Sequence, residues 1–218
     1  WLQRQLSVDG ERLQALRQRL WSDLSWQRTD RVLILGGRPL LWSLDPLGAV
    51  AEGGLTILCA SSTEQLRLEA QLQLLDPLNQ PVILADAAEL ERLSLDYQFE
   101  VVGGRLNQED LKAPDLETFW ARVSSRSTSG AQLRLLLSEP QLGPAGGLLE
   151  LLVKERKASK PSSSLQTLAA LESIWLSQAE QRQLLLNHLE RCGWVMNQSS
   201  WQESLKLSIE PSLIERWL

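Results

Sequence analysis

What this sequence has little of excludes several kinds of chemistry. It contains one histidine, two cysteines, one methionine, one tyrosine and two phenylalanines. Because His188 is the only histidine, a Ser-His-Asp or Cys-His arrangement has no second choice of base. His188 and Cys192 lie four residues apart and offer two metal ligands, where zinc takes three or four. We therefore predict a surface histidine beside a buried cysteine here, and no metal centre.

Long apolar runs and nucleotide-binding loops are also missing. No apolar stretch is long enough to span a bilayer, and no positively charged and then apolar segment opens the chain. Cys59 and Cys192 are far apart in the sequence, so a disulfide framework is not expected, which is consistent with a location in a reducing cytoplasm. There is no GxxxxGK loop followed by Ser or Thr, so this stretch is not expected to hydrolyse a nucleotide by itself.

Positive charge is limited as well. The formal net charge is −5, which argues against non-specific coating of DNA. The main basic cluster is KERKASK, Lys154 to Lys160, and we interpret it as a solvated helix end followed by a linker. A cluster with this few positive charges would give at most a weak and salt-sensitive affinity for DNA. We therefore expect weak or no direct nucleic-acid binding.

The residues that are present are those of an ordinary globular protein. The hydrophobic share is 43% and the charged share 22%, which suffices for a sizeable core. Nine tryptophans are scattered along the chain, and this spacing favours core and interface packing over a stacking platform. The first residue is Trp1 and the single methionine is Met196, so we expect the sequence to be a piece of a longer protein.

Short apolar runs alternate with amphipathic segments through most of the chain. The runs predicted as strands are Arg31 to Leu35, Leu55 to Cys59, Pro81 to Leu84, Phe99 to Val102 and Leu133 to Leu137. The segments predicted as helices are Asp9 to Leu24, Pro39 to Val50, Thr63 to Leu75, Asp115 to Val123, residues 148–157 and Ser177 to Arg191. Asp9 and Thr63 are the candidate N-caps. The alternation predicts an α/β fold in which helices cover both faces of a mostly parallel sheet.

The C-terminal third has a different character. Residues 139–165 contain the turn-rich EPQLGPAGG and the linker-like ASKPSSS, and we predict a flexible insertion there. Trp194 to Met196 and Ser204 to Ile209 alternate like two strands of an antiparallel hairpin. We predict an N-terminal helical segment over residues 1–30 and one α/β domain over residues 31–218.

The order of these elements resembles that of the class I S-adenosylmethionine-dependent methyltransferases. The matching stretches are RVLILGGRPLLWSL, the strand ending in ADAAEL, FEVVGG, SGAQLRLLLSE and the closing CGWVMNQSSWQESLKLSI. The resemblance covers roughly Arg31 to Ile209 and lies in layout more than in motif. It implies a Rossmann-like methyltransferase sandwich that ends in an antiparallel hairpin.

A narrower resemblance concerns a domain fused to an ATPase. DRVLILGGRPLLWSL followed by AEGG, together with the closing SLIERWL, is similar to the C-terminal domain of replication-associated recombination protein A family AAA ATPases in photosynthetic bacteria. This implies a partner in the ATPase region of the same parent chain, or in other replication proteins, and a role in DNA replication or repair.

The resemblance also places a cofactor loop after the first strand. The family's acid falls on Ile34, its first glycine on Gly36, and its other two glycines on Arg38 and Leu40. Gly37 lies within the same turn, Arg38 would occupy space that the cofactor normally uses, and Pro39 removes a backbone N–H. Most of this motif is therefore lost.

The remaining cofactor positions are mixed. The acid that binds the ribose falls on Cys59, and Ser61 follows it; Asp86 falls where the family holds the adenine, and Gly103 lies at the substrate side of the fourth strand, which also carries Glu100. In the favoured interpretation Gly36 and Gly37 make only a tight turn, Asp86 caps a helical turn and Glu100 is a surface acid.

We therefore expect a degenerate, non-catalytic methyltransferase-like domain that holds no cofactor and acts as an interaction module. The alternative is an active methyltransferase with an atypical loop, in which Asp86 holds the adenine of S-adenosylmethionine and a serine replaces the ribose acid. A third possibility is an anionic ligand bound by Arg38 at a helix start.

Overall fold

The computed structural model describes residues 10–36, 39–73, 75–77, 80–137, 143–154, 163–177 and 179–201. Its strands are β1 Arg31–Gly36, β2 Gly54–Leu58, β3 Val82–Leu84, β4 Phe99–Leu106 and β5 Ser127–Leu137. Its α-helices are α1 Gly10–Leu20, α2 Pro39–Ala49, α3 Ser62–Leu72, α4 Gln108–Leu111, α5 Leu116–Ser125, α6 Pro144–Lys154, α7 Ser163–Leu176 and α8 Ala179–Arg191. A 3₁₀ helix spans Ala87–Arg92.

The strands form one sheet in the order β3-β2-β1-β4-β5, and every pairing is parallel. The prediction of an α/β fold with a parallel sheet is confirmed, and the topology is Rossmann-like. The chain leaves β1 in one direction to build β2 and β3, then returns to the other side of β1 to build β4 and β5. The reversal between β1 and β4 is where ligands bind in such sheets, at the carboxyl ends of the strands.

The sheet is apolar because both of its faces are covered. Successive side chains of β1 enter different cores: Val32 and Ile34 pack with Trp42 of α2, whereas Leu33 and Leu35 pack on the other face, where Trp120 of α5 lies. Trp42 and Trp120 are fully buried, which confirms the core role predicted for these tryptophans.

The segment before β1 is joined to the face that carries α2. The Trp21 indole N–H donates to the carbonyl oxygen of Trp42 at 3.1 Å, and the Arg17 guanidinium pairs with the Asp45 carboxylate at 2.7 Å. The division into an N-terminal segment over residues 1–30 and a domain over residues 31–218 stays a prediction.

β4 and β5 extend several residues beyond their predicted bounds. β5 begins at Ser127, whereas the prediction began it at Leu133. β4 continues through Gly103 and Gly104, which the prediction placed after its end. Gly104 has φ +154°, and a Cβ there would overlap the Leu35 carbonyl oxygen of β1. Because the backbones of β1 and β4 approach this closely, glycine allows β4 to continue pairing here where a larger residue would clash.

The C-terminal third departs most from the prediction. Within the predicted flexible insertion, the helix predicted over residues 148–157 is present as α6, which begins earlier, at Pro144. The departure is α7, which begins at Ser163, inside the stretch predicted as a linker. Trp194 to Met196 form no strand, and Ser204 to Ile209 lie outside the described residues, so the predicted hairpin is not seen in the described part of the chain.

Candidate functional site

The carboxyl ends of β1 and β4 meet at the candidate site. Gly36 ends β1 with φ +74°, and a Cβ there would overlap the carbonyl oxygen of Arg105 on β4. Helix α2 begins at Pro39. Residues 37 and 38 separate the end of β1 from the start of α2, and Gly36 has a structural reason to be glycine in both its φ angle and its packing. Gly37 and Arg38 lie outside the described residues.

Cys59, at the predicted ribose position, is a buried thiol. It follows β2 and is 5% exposed, and its backbone N–H donates to the Leu84 carbonyl oxygen at 2.9 Å. Burial, helped by the nearby carboxylates of Glu64, Glu69 and Glu89, raises the pKa of Cys59 to about 11. At neutral pH this side chain is an uncharged thiol. It therefore lacks the negative charge, and as a cysteine also the two oxygen atoms, with which a carboxylate binds both ribose hydroxyls.

Ser61 caps the helix that follows. Its Oγ accepts a hydrogen bond from the Glu64 backbone N–H at 3.2 Å, and the Glu64 carboxylate accepts one in return from the Ala60 N–H at 2.8 Å. This reciprocal pair is close to a capping box, and it makes Ser61 the N-cap of α3 in place of the predicted Thr63.

Asp86 has the same role one strand further along. Its Oδ1 accepts hydrogen bonds from the N–H groups of Ala88 at 2.7 Å and Glu89 at 3.2 Å. The Glu89 carboxylate accepts in return from the Ala85 N–H at 2.7 Å. The prediction that Asp86 caps a helical turn is confirmed, and the turn is the 3₁₀ helix Ala87–Arg92.

Glu64 and Glu89 were missed as residues of this region. Both were visible in the sequence as the fourth residue of a capping pattern, in SSTE over residues 61–64 and in DAAE over residues 86–89. Together they use backbone N–H groups at the ends of β2 and β3, which an anionic ligand would otherwise find free.

Gly103 lies inside β4, and its lack of a side chain lets Trp21 of the N-terminal segment pack against it. A Cβ there would come within 2.5 Å of Cη2 and 2.6 Å of Cζ3 of the Trp21 ring. The missing side chain therefore makes room for an indole of the same protein. A role of Gly103 and the other predicted cofactor residues in ligand binding stays a prediction.

Glu100 is at the opposite end of the sheet from Gly36. It is half-buried, and its carboxylate accepts a hydrogen bond from the backbone N–H of Arg31 at 2.7 Å, so the prediction of a surface acid is wrong. It lines a cavity of about 260 Å³ together with Trp26, Asp30 and Thr128. The cavity lies beside a bulge in β5, where Phe99 pairs with Ser127 but Val101 pairs with Gln132. Its volume is below that of typical ligand pockets.

The remaining candidates give no metal site in the described residues, where no three metal-binding side chains come together. His188 and Cys192 are both half-buried, which corrects the prediction of a surface histidine beside a buried cysteine. Burial, with the charge of Glu117, raises the pKa of Cys192.

No helix in the described ranges is long and apolar enough to cross a bilayer.

Comparison with known proteins finds similarity among solved structures. No protein-family model matches the sequence, and no curated protein matches it. A solved structure of a "putative methyltransferase" from Thermoplasma acidophilum is similar at a TM-score of 0.36 and 16% sequence identity, over 49% of this chain and 43% of that one. This chain thus spans less than half the length of that protein. The geometry of this chain defines a Rossmann-like α/β domain.

Proposed function

We propose that this chain is a non-catalytic methyltransferase-like domain that acts as an interaction module. The observation that carries the proposal is that the positions expected to bind the cofactor are engaged within the protein. Cys59 is a buried thiol, Ser61 and Asp86 are N-caps, and Trp21 occupies the space beside Gly103. Fold alone does not license catalysis, and the groups that would recognise ribose and adenine serve local structure instead.

The proposed setting is a larger replication or recombination ATPase. Its support is the sequence resemblance to the domain fused to replication-associated recombination protein A family ATPases. In that setting the domain contributes contacts to the ATPase region of its parent chain or to other replication proteins, and the ATPase region supplies the nucleotide chemistry.

An active methyltransferase with an atypical loop is the alternative, and one observation favours it. The Asp86 side chain is exposed, and the hydrogen bonds that it accepts within the described part of the chain both use Oδ1. Its second carboxylate oxygen remains available to accept a hydrogen bond from an adenine amino group.

The test is calorimetric titration of the purified chain with S-adenosylmethionine and with S-adenosylhomocysteine, on wild type and on Arg38→Gly. We expect no heat of binding from wild type up to about 1 mM ligand. Binding that appears only in Arg38→Gly would agree with the proposal, because it would show a loop blocked by one side chain.

Micromolar binding by wild type would overturn the non-catalytic proposal. The variant Asp86→Asn then tests the alternative, because asparagine caps a helix as well as aspartate but has no second carboxylate oxygen. A tenfold or greater loss of affinity in Asp86→Asn, with unchanged thermal stability, would place Asp86 on the adenine.

A further inference from the structure

The hairpin of α6 and α7 exposes four leucines. Leu148 and Leu151 of α6 are 43% and 45% exposed, and Leu168 and Leu171 of α7 are 57% and 61% exposed. Single exposed leucines are common on soluble proteins, whereas a contiguous group marks an association surface. The geometry of the two helices decides whether these four form one group.

The helices are antiparallel. The Glu172 carboxylate of α7 accepts hydrogen bonds from the backbone N–H groups of Ala145 at 3.2 Å and Gly146 at 2.8 Å. The C-terminal half of α7 therefore lies beside the first turn of α6. A Cβ on Gly143 would overlap the same carboxylate, so the contact is close.

The two helices meet along their less exposed sides. These sides are marked by residues that recur at helical spacing and are only half-exposed: Leu149 and Leu152 on α6, and Leu165, Ala169 and Glu172 on α7. We measure angles around each helix axis from the middle of its contact side, the direction that points at the other helix. At 100° per residue, Leu148 and Leu151 lie about 70° and 130° from that direction on α6, both in the same sense of rotation. Leu168 and Leu171 have the same offsets on α7.

Equal offsets place the four leucines on the same face. Two antiparallel helices are related by a two-fold axis perpendicular to the plane that contains them, and this rotation keeps each residue on its own side of the plane. Leu148, Leu151, Leu168 and Leu171 therefore form one apolar surface that is two helices wide, which we name the leucine face.

The leucine face is uncharged. In the described part of the hairpin the charged side chains are Glu150, Lys154 and Glu172. Glu172 is held against the start of α6, and helical geometry puts Glu150 and Lys154 on the other side of the hairpin or on its outer edge. A highly charged partner would find no complementary charge here, whereas an identical face brings no charge that would be repelled or stripped of water.

We propose that the leucine face docks against the leucine face of a second copy of this chain. Two hairpins placed face to face complete a four-helix bundle whose centre contains eight leucines. The contact is isologous: each copy offers the same surface, as a two-fold dimer requires. The inference goes beyond the proposed function and holds whether or not S-adenosylmethionine binds.

The test is sedimentation velocity of the full chain between about 2 and 200 µM. For wild type we expect a concentration-dependent rise in mass from 24.5 kDa toward twice that value. The variant Leu168→Glu/Leu171→Glu should stay monomeric throughout. The control Ala170→Glu/Ser173→Glu adds the same charge to exposed positions of α7 on the opposite face of the hairpin and should associate like wild type.

A mixing experiment shows whether like faces meet. Leu168→Lys/Leu171→Lys should also be monomeric alone, and an equimolar mixture with the glutamate variant should regain the dimer. Circular dichroism confirms that each variant is folded. Wild type that stays monomeric at 200 µM overturns the proposal, as does a control variant that dissociates equally, or a mixture that does not recover.

Discussion

At the scale of single residues, Cys59 illustrates how burial sets chemical reactivity. The sequence places a cysteine where an acid was expected, and the fold removes that thiol from water and surrounds it with carboxylates. Only the thiolate reacts with alkylating agents. Its position in the core follows from strand pairing, which the sequence suggested, whereas the nearby carboxylates come from two separate capping turns.

We predict that Cys59 resists alkylation in the native protein. With iodoacetamide at pH 8, Cys192 should react first because it is half-buried, and Cys59 should react only after urea unfolds the chain. Mass spectrometry of peptides from a time course measures both rates. Equal rates at the two cysteines in native buffer would contradict the buried, protonated thiol.

The same pKa predicts a dependence of stability on alkaline pH. The folded state raises the pKa of Cys59 from 9.0 to about 11, so the protonated thiol favours folding. This contribution is fully present below pH 9 and is lost as the pH rises toward 11, with a limiting size on the order of 3 kcal/mol. Urea unfolding of wild type and Cys59→Ala at pH 8 and pH 10.5 measures it, and the stability advantage of wild type should shrink at the higher pH.

Gly103 shows a residue whose role only packing explains. We predict that Gly103→Ala lowers the free energy of unfolding by about 1–3 kcal/mol, because the new methyl group meets the Trp21 ring. Gly130→Ala is the control, since a Cβ there meets nothing within 4 Å. In a Trp21→Leu background the cost of Gly103→Ala should fall, and an unchanged cost would assign the effect to the strand backbone instead.

At the scale of elements, carboxylates close the turns where strands pass into helices. Glu64 and Glu89 do this after β2 and β3, and Asp110 does it after β4 by accepting from the Asn107 N–H at 2.6 Å. In each case the capping residue lies three or four residues from the N–H group that it binds. A pattern this local can be recognised in the sequence. The sequence did not predict the helix α7, because its Ser-rich start resembles a linker and its apolar residues do not form a single amphipathic stripe.

The hairpin has its own prediction. Glu172→Ala removes the carboxylate that caps α6 through two N–H groups, and we expect a loss of about 1–2 kcal/mol in the local stability of the hairpin. Hydrogen exchange at the amides of Ala145 and Gly146 should accelerate at least fivefold. The control Glu150→Ala removes the same charge from an exposed position of α6 and should leave these amides unchanged.

At the scale of the whole molecule, charge predicts little affinity for DNA. With a net charge of −5 and one short basic cluster, we expect a dissociation constant weaker than about 100 µM for a random 30-base-pair duplex at 150 mM salt. Fluorescence anisotropy of a labelled duplex measures it. Binding at or below about 1 µM that survives 200 mM salt would contradict this and point to a dedicated DNA surface.

The sequence by itself determined the strands, most of the helices and the parallel sheet, because apolar periodicity and glycine turns are local signals. It also showed that Arg38 and Leu40 stand where the methyltransferase pattern, which the sequence resembles, has glycines. The tertiary structure alone decided that Trp21 lies over Gly103, that Glu100 bonds the start of β1, and that four leucines share one face. Those contacts join residues distant in the chain, and their partners are set by how strands and helices pack, which no local pattern encodes.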